Sequence, residues 1–414
     1  MIGADGILKP AGLRSMFRAD DAEDRTTTRD PSVPPAGIEV EPPGGAGESE
    51  VFDPSHAALH QSLPPGSALL AVTEDPAGGP RGFRLSFFFQ GRYEESTEDD
   101  VRHQVALNLN LYSIGERRRW QDDHDELKNW WRELSRLRRW MNRLAAAARD
   151  TRLVVWDNTN FQLPWELYYV DGSGWLGAMV EVLRWTSLLE EGREARYTAV
   201  PAAPAGTMLV LETEDITGPG DGIADLTEGY GPPPLTRMEA LREQLARKDL
   251  RIGVLLVHCH GVNAADANQF ELAGATLNEM ESWDMPALAI SRTIVILNAC
   301  NTAKLVPVGE HAQRATRSFA EMFLRKGAST VIATLGKVGM DHTHDFTLDL
   351  LTAEGTDRRV SQFLMRHRRD YADRLADPAR GPGRYERFFY SFMYVCFGHP
   401  ETALRLAAAP GDAP

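Results

Sequence analysis

Two short motifs in this chain hold residues able to do covalent chemistry, each at the end of an apolar run. His258-Cys259-His260-Gly261 follows the run 254–257, and Asn298-Ala299-Cys300 follows the run 293–297. A histidine and a cysteine delivered by two strands of one sheet are the minimum equipment of a cysteine protease. A thiol with the ordinary pKa of ~8.5 is mostly protonated at neutral pH. An adjacent imidazole takes that proton or sits as imidazolium beside a thiolate. Cys300 would attack a carbonyl carbon and His260 would protonate the leaving amine. The tetrahedral oxyanion needs preorganised donors, and the amides of Gly261 and Cys300 are the candidates. Glycine after the histidine lets a substrate backbone come close.

Each motif alone has a plainer reading. A cysteine ending an apolar strand is often a small core residue, and a strand-end histidine is often structural. Their joint occurrence at equivalent strand ends is what argues for a site. His258 shares a face with His260 but sits deeper, so it reads as a core or supporting residue. Cys259 points to the opposite face and reads as buried and inert. Adjacent strand residues diverge and no second ligand pair has finger-like spacing, so no metal site is expected. His342 and His344 read as surface residues near a helix start. Glu214 and Asp215 follow an earlier strand. They read first as a solvated loop, and second as the pocket for an Arg or Lys before the scissile bond. Asp266 is a weaker candidate of the same kind.

The elements that must position these residues are strands alternating with helices. Strands are expected at 208–212, 252–260, 292–300, 329–335 and 390–397, and helices at 235–249, 313–326, 341–353 and 357–375. This alternation predicts an α/β fold with a mostly parallel central sheet flanked by helices. In such sheets functional residues gather beyond the carboxyl ends of the strands, and a right-handed crossover returns the chain to that edge. Upstream, strands are expected at 67–73, 83–90, 105–111 and 152–156, and one long helix at 120–149, an N-terminal strand and helix region. In that helix Leu127, Trp130, Trp131, Leu134, Leu137, Trp140, Met141 and Leu144 recur at spacings of three and four, which reads as core packing.

Residues 1–65 are acidic and rich in Pro and Gly, with little to bury, and are expected to be disordered. Residues 66–119 are expected to form a β-rich region. Of 414 residues, 59 are acidic and 45 basic, a net charge of −14, which argues against general nucleic-acid binding. Three cysteines without paired spacing suggest a reducing compartment. No signal-like or membrane-length apolar run occurs, so a cytoplasmic, non-membrane protein is expected.

The residues quoted above resemble those of the CHAT-domain proteases, caspase-like cysteine peptidases of the caspase and separase clan. His260-Gly261 and Asn298-Ala299-Cys300-Asn301-Thr302 resemble the family signature. Leu163-Pro164-Trp165-Glu166-Leu167 is similar to its N-terminal segment. Lys326-Gly327-Ala328-Ser329-Thr330 resembles its helix–Gly-Ala–strand unit, and Tyr394 to Pro400 its terminal strand. The resemblance spans about 120–407, with 207–407 as the catalytic half. It implies a caspase-like fold, Cys300 as nucleophile, His260 as base, and peptide hydrolysis without metal or cofactor. It also implies a role in bacterial conflict or antiphage defence. Lys337-Val338-Gly339 departs from the usual Trp-Pro-Val, which bears on local pocket shape. No tetratricopeptide repeats are present, so a regulatory or sensor protein partner, or residues 1–119, would control activity on a protein substrate. The alternative is a catalytically silent scaffold or adaptor. A nucleotide-binding module is weaker, since no strand runs into a Gly-rich phosphate loop.

Overall fold

The computed structural model describes residues 63–406, apart from 75–81, 91, 96–101, 104–118, 131–133, 148–150, 158, 160–162, 191–192, 197–205, 217–221, 263–269, 306–316 and 353–357. All described residues belong to the compact unit Asp53–Pro414. The strand expected at 105–111 and nearly all of the 1–65 tail lie outside them.

Ten strands build the central sheet: β1 (Ser67–Glu74), β2 (Gly82–Phe89), β3 (Arg92–Glu95), β4 (Arg152–Asp157), β5 (Glu181–Trp185), β6 (Thr207–Glu212), β7 (Ile252–His258), β8 (Ile294–Asn298), β9 (Thr330–Thr334) and β10 (Tyr394–Phe397). Their order is β6-β7-β8-β9-β10-β5-β4-β1-β2-β3, and a short strand, Arg102–His103, pairs with β2. β6 to β9 pair in parallel. β10 enters antiparallel to β9. From β10 through β5 and β4 to β1 the pairing is parallel again. Two parallel blocks of opposite direction, β6 to β9 and β10-β5-β4-β1, thus join at β9 and β10, and β2 and β3 extend the second block by antiparallel pairing. Every residue of β7, β8 and β9 is buried, as strands covered on both faces require.

The N-terminal block shows the two-residue alternation of a pleated sheet. Ala68, Leu70 and Val72 of β1 share one cluster with Phe83, Leu85 and Phe87 of β2 and with Leu153 and Val155 of β4. Leu69, Ala71, Phe88, Val154 and Trp156 fall in a separate cluster on the other face.

The helix expected over 120–149 is two helices, α1 (Trp120–Trp130) and α2 (Ser135–Ala146). Leu134 leaves helical geometry, with φ −86° and ψ 79°. The two pieces serve different cores. Leu127 of α1 packs in the core shared with β6 to β10, whereas Leu137, Trp140, Met141 and Leu144 of α2 pack on β1, β2 and β4. One straight helix cannot turn its apolar stripe toward both.

Further along are α3 (Met238–Leu245), α4 (Pro286–Ser291), α5 (Phe319–Arg325), α6 (Met340–Thr352), α7 (Val360–Leu375) and α8 (Gly383–Met393). The strand expected from 390 begins only at Tyr394, because 390–393 complete α8. Phe388, Phe389, Phe392 and Met393 are all buried at helical spacing, and a short apolar run does not by itself separate strand from helix. β5 was not anticipated. Its Glu181 and Arg184 disguise a buried strand, and both charges are satisfied internally. Glu181 accepts from Arg359 and Ser361, and Arg184 donates to Glu166.

Candidate active site

The site is built at the carboxyl ends of β6, β7 and β8. Strand register sets Glu212 opposite His258, and His258 opposite Asn298. Three apolar strands thus end on one row of buried polar side chains. Helix α6 covers the row. Thr343 Oγ1 donates to the Met340 carbonyl and so accepts from His258 Nε2 at 3.1 Å. Asn298 Nδ2 donates to the Thr343 carbonyl at 3.0 Å and to Thr347 Oγ1 at 3.1 Å, and the Tyr394 hydroxyl donates to Asn298 Oδ1. His258 Nδ1 lies 3.4 Å from Glu212 Oε1, close enough for charge attraction but not aligned as a hydrogen bond. Burial alone would raise the Glu212 carboxyl. His258 and the Ile223 amide, 2.7 Å away, reverse this and hold it below the usual range.

Two residues beyond the row stand His260, exposed, and Cys300, half-buried. Their loops touch at Gly261. A β-carbon there would lie 2.1 Å from the Cys300 carbonyl oxygen, so only glycine admits this packing. After Cys300 the chain turns through Asn301 at φ 61°, a left-handed conformation that asparagine tolerates better than most residues. The turn is pinned by Asn301 N–H to the Gly336 carbonyl (3.0 Å) and Ala303 N–H to the Thr334 carbonyl (2.8 Å).

The two amides expected to bind an oxyanion have matching environments. Gly261 starts the two-residue strand Gly261–Val262, whose partner is Glu271–Leu272. Ala273 N–H donates to the His260 carbonyl at 3.1 Å, which makes Gly261 and Leu272 a non-hydrogen-bonded pair and turns the Gly261 N–H outward from the hairpin. Neither that N–H nor the Cys300 N–H meets an acceptor among the described residues.

The thiol of Cys300 donates to the Val338 carbonyl across 3.7 Å. Burial is the largest influence and pushes this thiol up, with Lys337 pulling weakly the other way. A thiolate facing a carbonyl oxygen would be repelled, so the contact belongs to the protonated form. Lys337-Val338-Gly339, where the chain departs from the family pattern, is thus the segment that holds the thiol. A β-carbon on Gly339 would lie 2.8 Å from the Tyr390 ring.

Glu214 and Asp215 are exposed in the turn after β6, at the edge where Thr213 N–H meets the His258 carbonyl (3.3 Å). Asp266 lies outside the described residues. Cys259 is buried and its thiol is raised by burial. His342, expected at the surface, is fully buried. It sits on α6 among His367, Tyr371, Tyr390 and Tyr394, and the helix start that suggested exposure is roofed by α7 and α8. Glu166 of the Leu163–Leu167 motif is also buried and binds Arg184 at 3.0 and 2.5 Å, tying the segment to β5.

Reading the sequence missed Glu212, Val338, Tyr390 and Tyr394 as neighbours of the site. The legible signal was that Glu212, His258 and Asn298 are each a polar residue closing an apolar strand. Among the described residues no three His, Cys, Asp or Glu side chains converge to hold a metal ion, and no helix is long and apolar enough to cross a membrane.

A family model for the CHAT domain matches residues 127–380. Among solved structures, the chain is similar to the Arg-specific cysteine proteinase gingipain R, with a TM-score of 0.41 and 12% identity over 66% of this chain and 68% of that one. It is also similar to the complex of Porphyromonas gingivalis RgpB pro- and mature domains, with a TM-score of 0.43 and 11% identity over 66% of this chain and 70% of that one. No curated protein matches the sequence.

Proposed function

Because the chain belongs to the CHAT-domain family, we propose that it is a regulated cysteine endopeptidase. Cys300 is the nucleophile and His260 the general base. The Gly261 and Cys300 amides receive the oxyanion. The Cys300 proton passes to His260 as Sγ bonds to the substrate carbonyl carbon. His260 then gives it to the departing amine, and water cleaves the acyl-enzyme by the same route reversed. Glu212, His258 and Asn298 position the two loops from below. Glu214 and Asp215 are the acidic groups at this edge that a basic residue before the scissile bond would meet.

The observation that carries this reading is the seating of Gly261 on the Cys300 carbonyl. It holds the histidine loop and the cysteine loop in contact at the carboxyl edge of a parallel sheet. The decisive experiment profiles new protein N-termini in cells with the intact chain against Cys300→Ala. Cleavages lost in the variant support the assignment, and cleavages that persist reject it. Action in a conflict or antiphage system rests on the family resemblance, cytoplasmic location on the sparse unpaired cysteines, and control by a regulatory protein partner on the sequence showing no tetratricopeptide repeats.

One observation favours a second reading, a silent scaffold: the thiol is engaged with the Val338 carbonyl and burial pushes its pKa up. In a scaffold Cys300→Ala keeps full cellular function, and an electrophilic peptide probe leaves Cys300 unlabelled.

A further inference from the structure

A cavity of about 490 Å³ lies apart from the site described above, between α1, the 169–179 segment, α7 and the start of α8. Its volume is within the ~300–1,000 Å³ typical of small-molecule sites. Its walls are unusually aromatic: His124, Tyr169, Trp175 and Tyr385 all face it. The His124 ring lies 5.2 Å from Trp175 and 5.3 Å from Tyr385, and Tyr169 lies 5.1 Å from Trp175. Aromatic faces set this way accept a flat ring by stacking or edge contact.

Two cations complete the lining. Lys128 Nζ sits 5.1 Å from the Tyr169 ring centre, and Arg369 donates to the Ala178 carbonyl at 2.9 Å. Neither forms an ion pair with a carboxylate among the described residues, and Asp373 is the one carboxylate in the lining. The phenol hydroxyls of Tyr169 and Tyr385 also have no hydrogen-bond partner among the described residues. Unneutralised cations in a concave, partly apolar site create a field that favours an anion.

The same walls lead to the nucleophile. Tyr385 of α8 lines the cavity, and the buried Phe388 packs behind the wall, 5.2 Å from Trp175 and 5.7 Å from His124. Further along α8, Tyr390 packs on Gly339, next in sequence to the Val338 carbonyl that holds the Cys300 thiol. Trp120 of α1 meets both Phe389 and Tyr390 at 5.6 Å. Both α1 and α8 therefore line the cavity at one end; at the other, α8 touches the thiol's support through Tyr390, and α1 packs on that tyrosine through Trp120.

We propose that this cavity is an effector site for a small anion carrying a planar ring, and that its occupancy is read at Cys300 through α1 and α8. The regulatory meaning of that signal rests on Cys300 being the nucleophile; the binding does not. A ligand that ties His124 and Lys128 to Tyr385 fixes the offset between the two helices. That offset sets where Tyr390 presses on the 337–339 segment.

The test uses the full chain and two probes, AMP and indole-3-acetate, with adenosine and inorganic phosphate as the ring-only and anion-only controls. Calorimetry is expected to give saturable binding of at least one probe. Lys128→Glu or Arg369→Glu should weaken it by about tenfold or more, the loss of one favourable cation contact. The second readout is the rate of Cys300 alkylation by iodoacetamide, with Cys300→Ala supplying the background from Cys259 and Cys396. A bound probe should change that rate by about fivefold or more, the lower end of ordinary allosteric coupling. The site is refuted by the absence of saturation with both probes, by controls that bind as tightly, or by binding that ignores both substitutions. The coupling is refuted by an unchanged alkylation rate at saturation. Neither readout requires turnover, so an inert peptidase and an empty cavity give different results.

Discussion

Gly261→Ala puts the two-loop site to its sharpest test. The added β-carbon would sit 2.1 Å from the Cys300 carbonyl oxygen, 3.1 Å from its carbonyl carbon and 3.2 Å from its nitrogen. All three atoms are backbone, so no rotamer change relieves the clash. One loop must retreat by roughly 1 Å to restore ordinary contact. A misplacement of ~1 Å in a catalytic constellation costs about 10²-fold in rate, equivalent to ~2.7 kcal/mol in the barrier. The assay is kcat/KM on a peptide taken from a mapped cleavage site, beside a thermal melt of each variant. Gly383→Ala is the control, since a β-carbon there meets nothing within 4 Å. The expected result is about a hundredfold loss in Gly261→Ala with the melt largely preserved, and no loss in the control. Full activity in Gly261→Ala would mean that the loops do not act as one rigid site, and would remove the main support for the proposed mechanism.

Three further outcomes are expected. Because burial raises the Cys300 thiol and Lys337 partly counters it, its alkylation rate should still climb with pH where a free cysteine has levelled off. Lys337→Ala should shift that profile to still higher pH, and a profile like that of free cysteine would contradict the buried geometry. Replacing Arg184 by Met leaves Glu166 buried and without its main partner, a loss of ~3–5 kcal/mol in urea unfolding. Burial alone would raise the Glu166 carboxyl, but Arg184, helped by Arg368, holds it below the usual range. Its contribution is therefore complete above the unfolded carboxyl pKa and is lost as pH falls through the folded one. Unfolding at acid pH should be less pH-dependent in a Glu166→Gln variant. Tyr394→Phe strips Asn298 Oδ1 of its donor and should cost ~1–3 kcal/mol of stability; a change within error would show that the buried row has another way to satisfy this oxygen.

Much of the 207–407 half is legible in the sequence. The strands at 252–258, 294–298 and 330–334 are fully buried apolar runs, and a run of that kind bounded by loops reads as a strand of a covered parallel sheet. The errors lie where local pattern underdetermines the outcome. Phe388 to Phe397 is one apolar stretch, yet its first half is helix and its second strand, because Trp120 and Trp175 pack on the former and β9 pairs with the latter. β5 is hidden by Glu181, whose partners Arg359 and Ser361 lie far along the chain, and by Arg184, whose partner Glu166 sits 18 residues upstream in another segment. His342 reads as a surface residue because it lies near a helix start, and its burial comes from α7 and α8.

The sequence alone determined which residues end the strands and with what chemistry. Alternation and apolar runs are properties of neighbouring residues, so they can be read without contacts. They identified His260, Gly261 and Cys300 as strand-end groups and separated them from His258 and Cys259. The tertiary structure alone decided how these groups are held. Register across β6, β7 and β8 made Glu212, His258 and Asn298 one buried row. Packing of α8 on the 337–339 segment aimed the thiol at the Val338 carbonyl. Such relations join residues far apart along the chain, and the free energy that selects them comes from burying side chains together, which no local window of sequence contains.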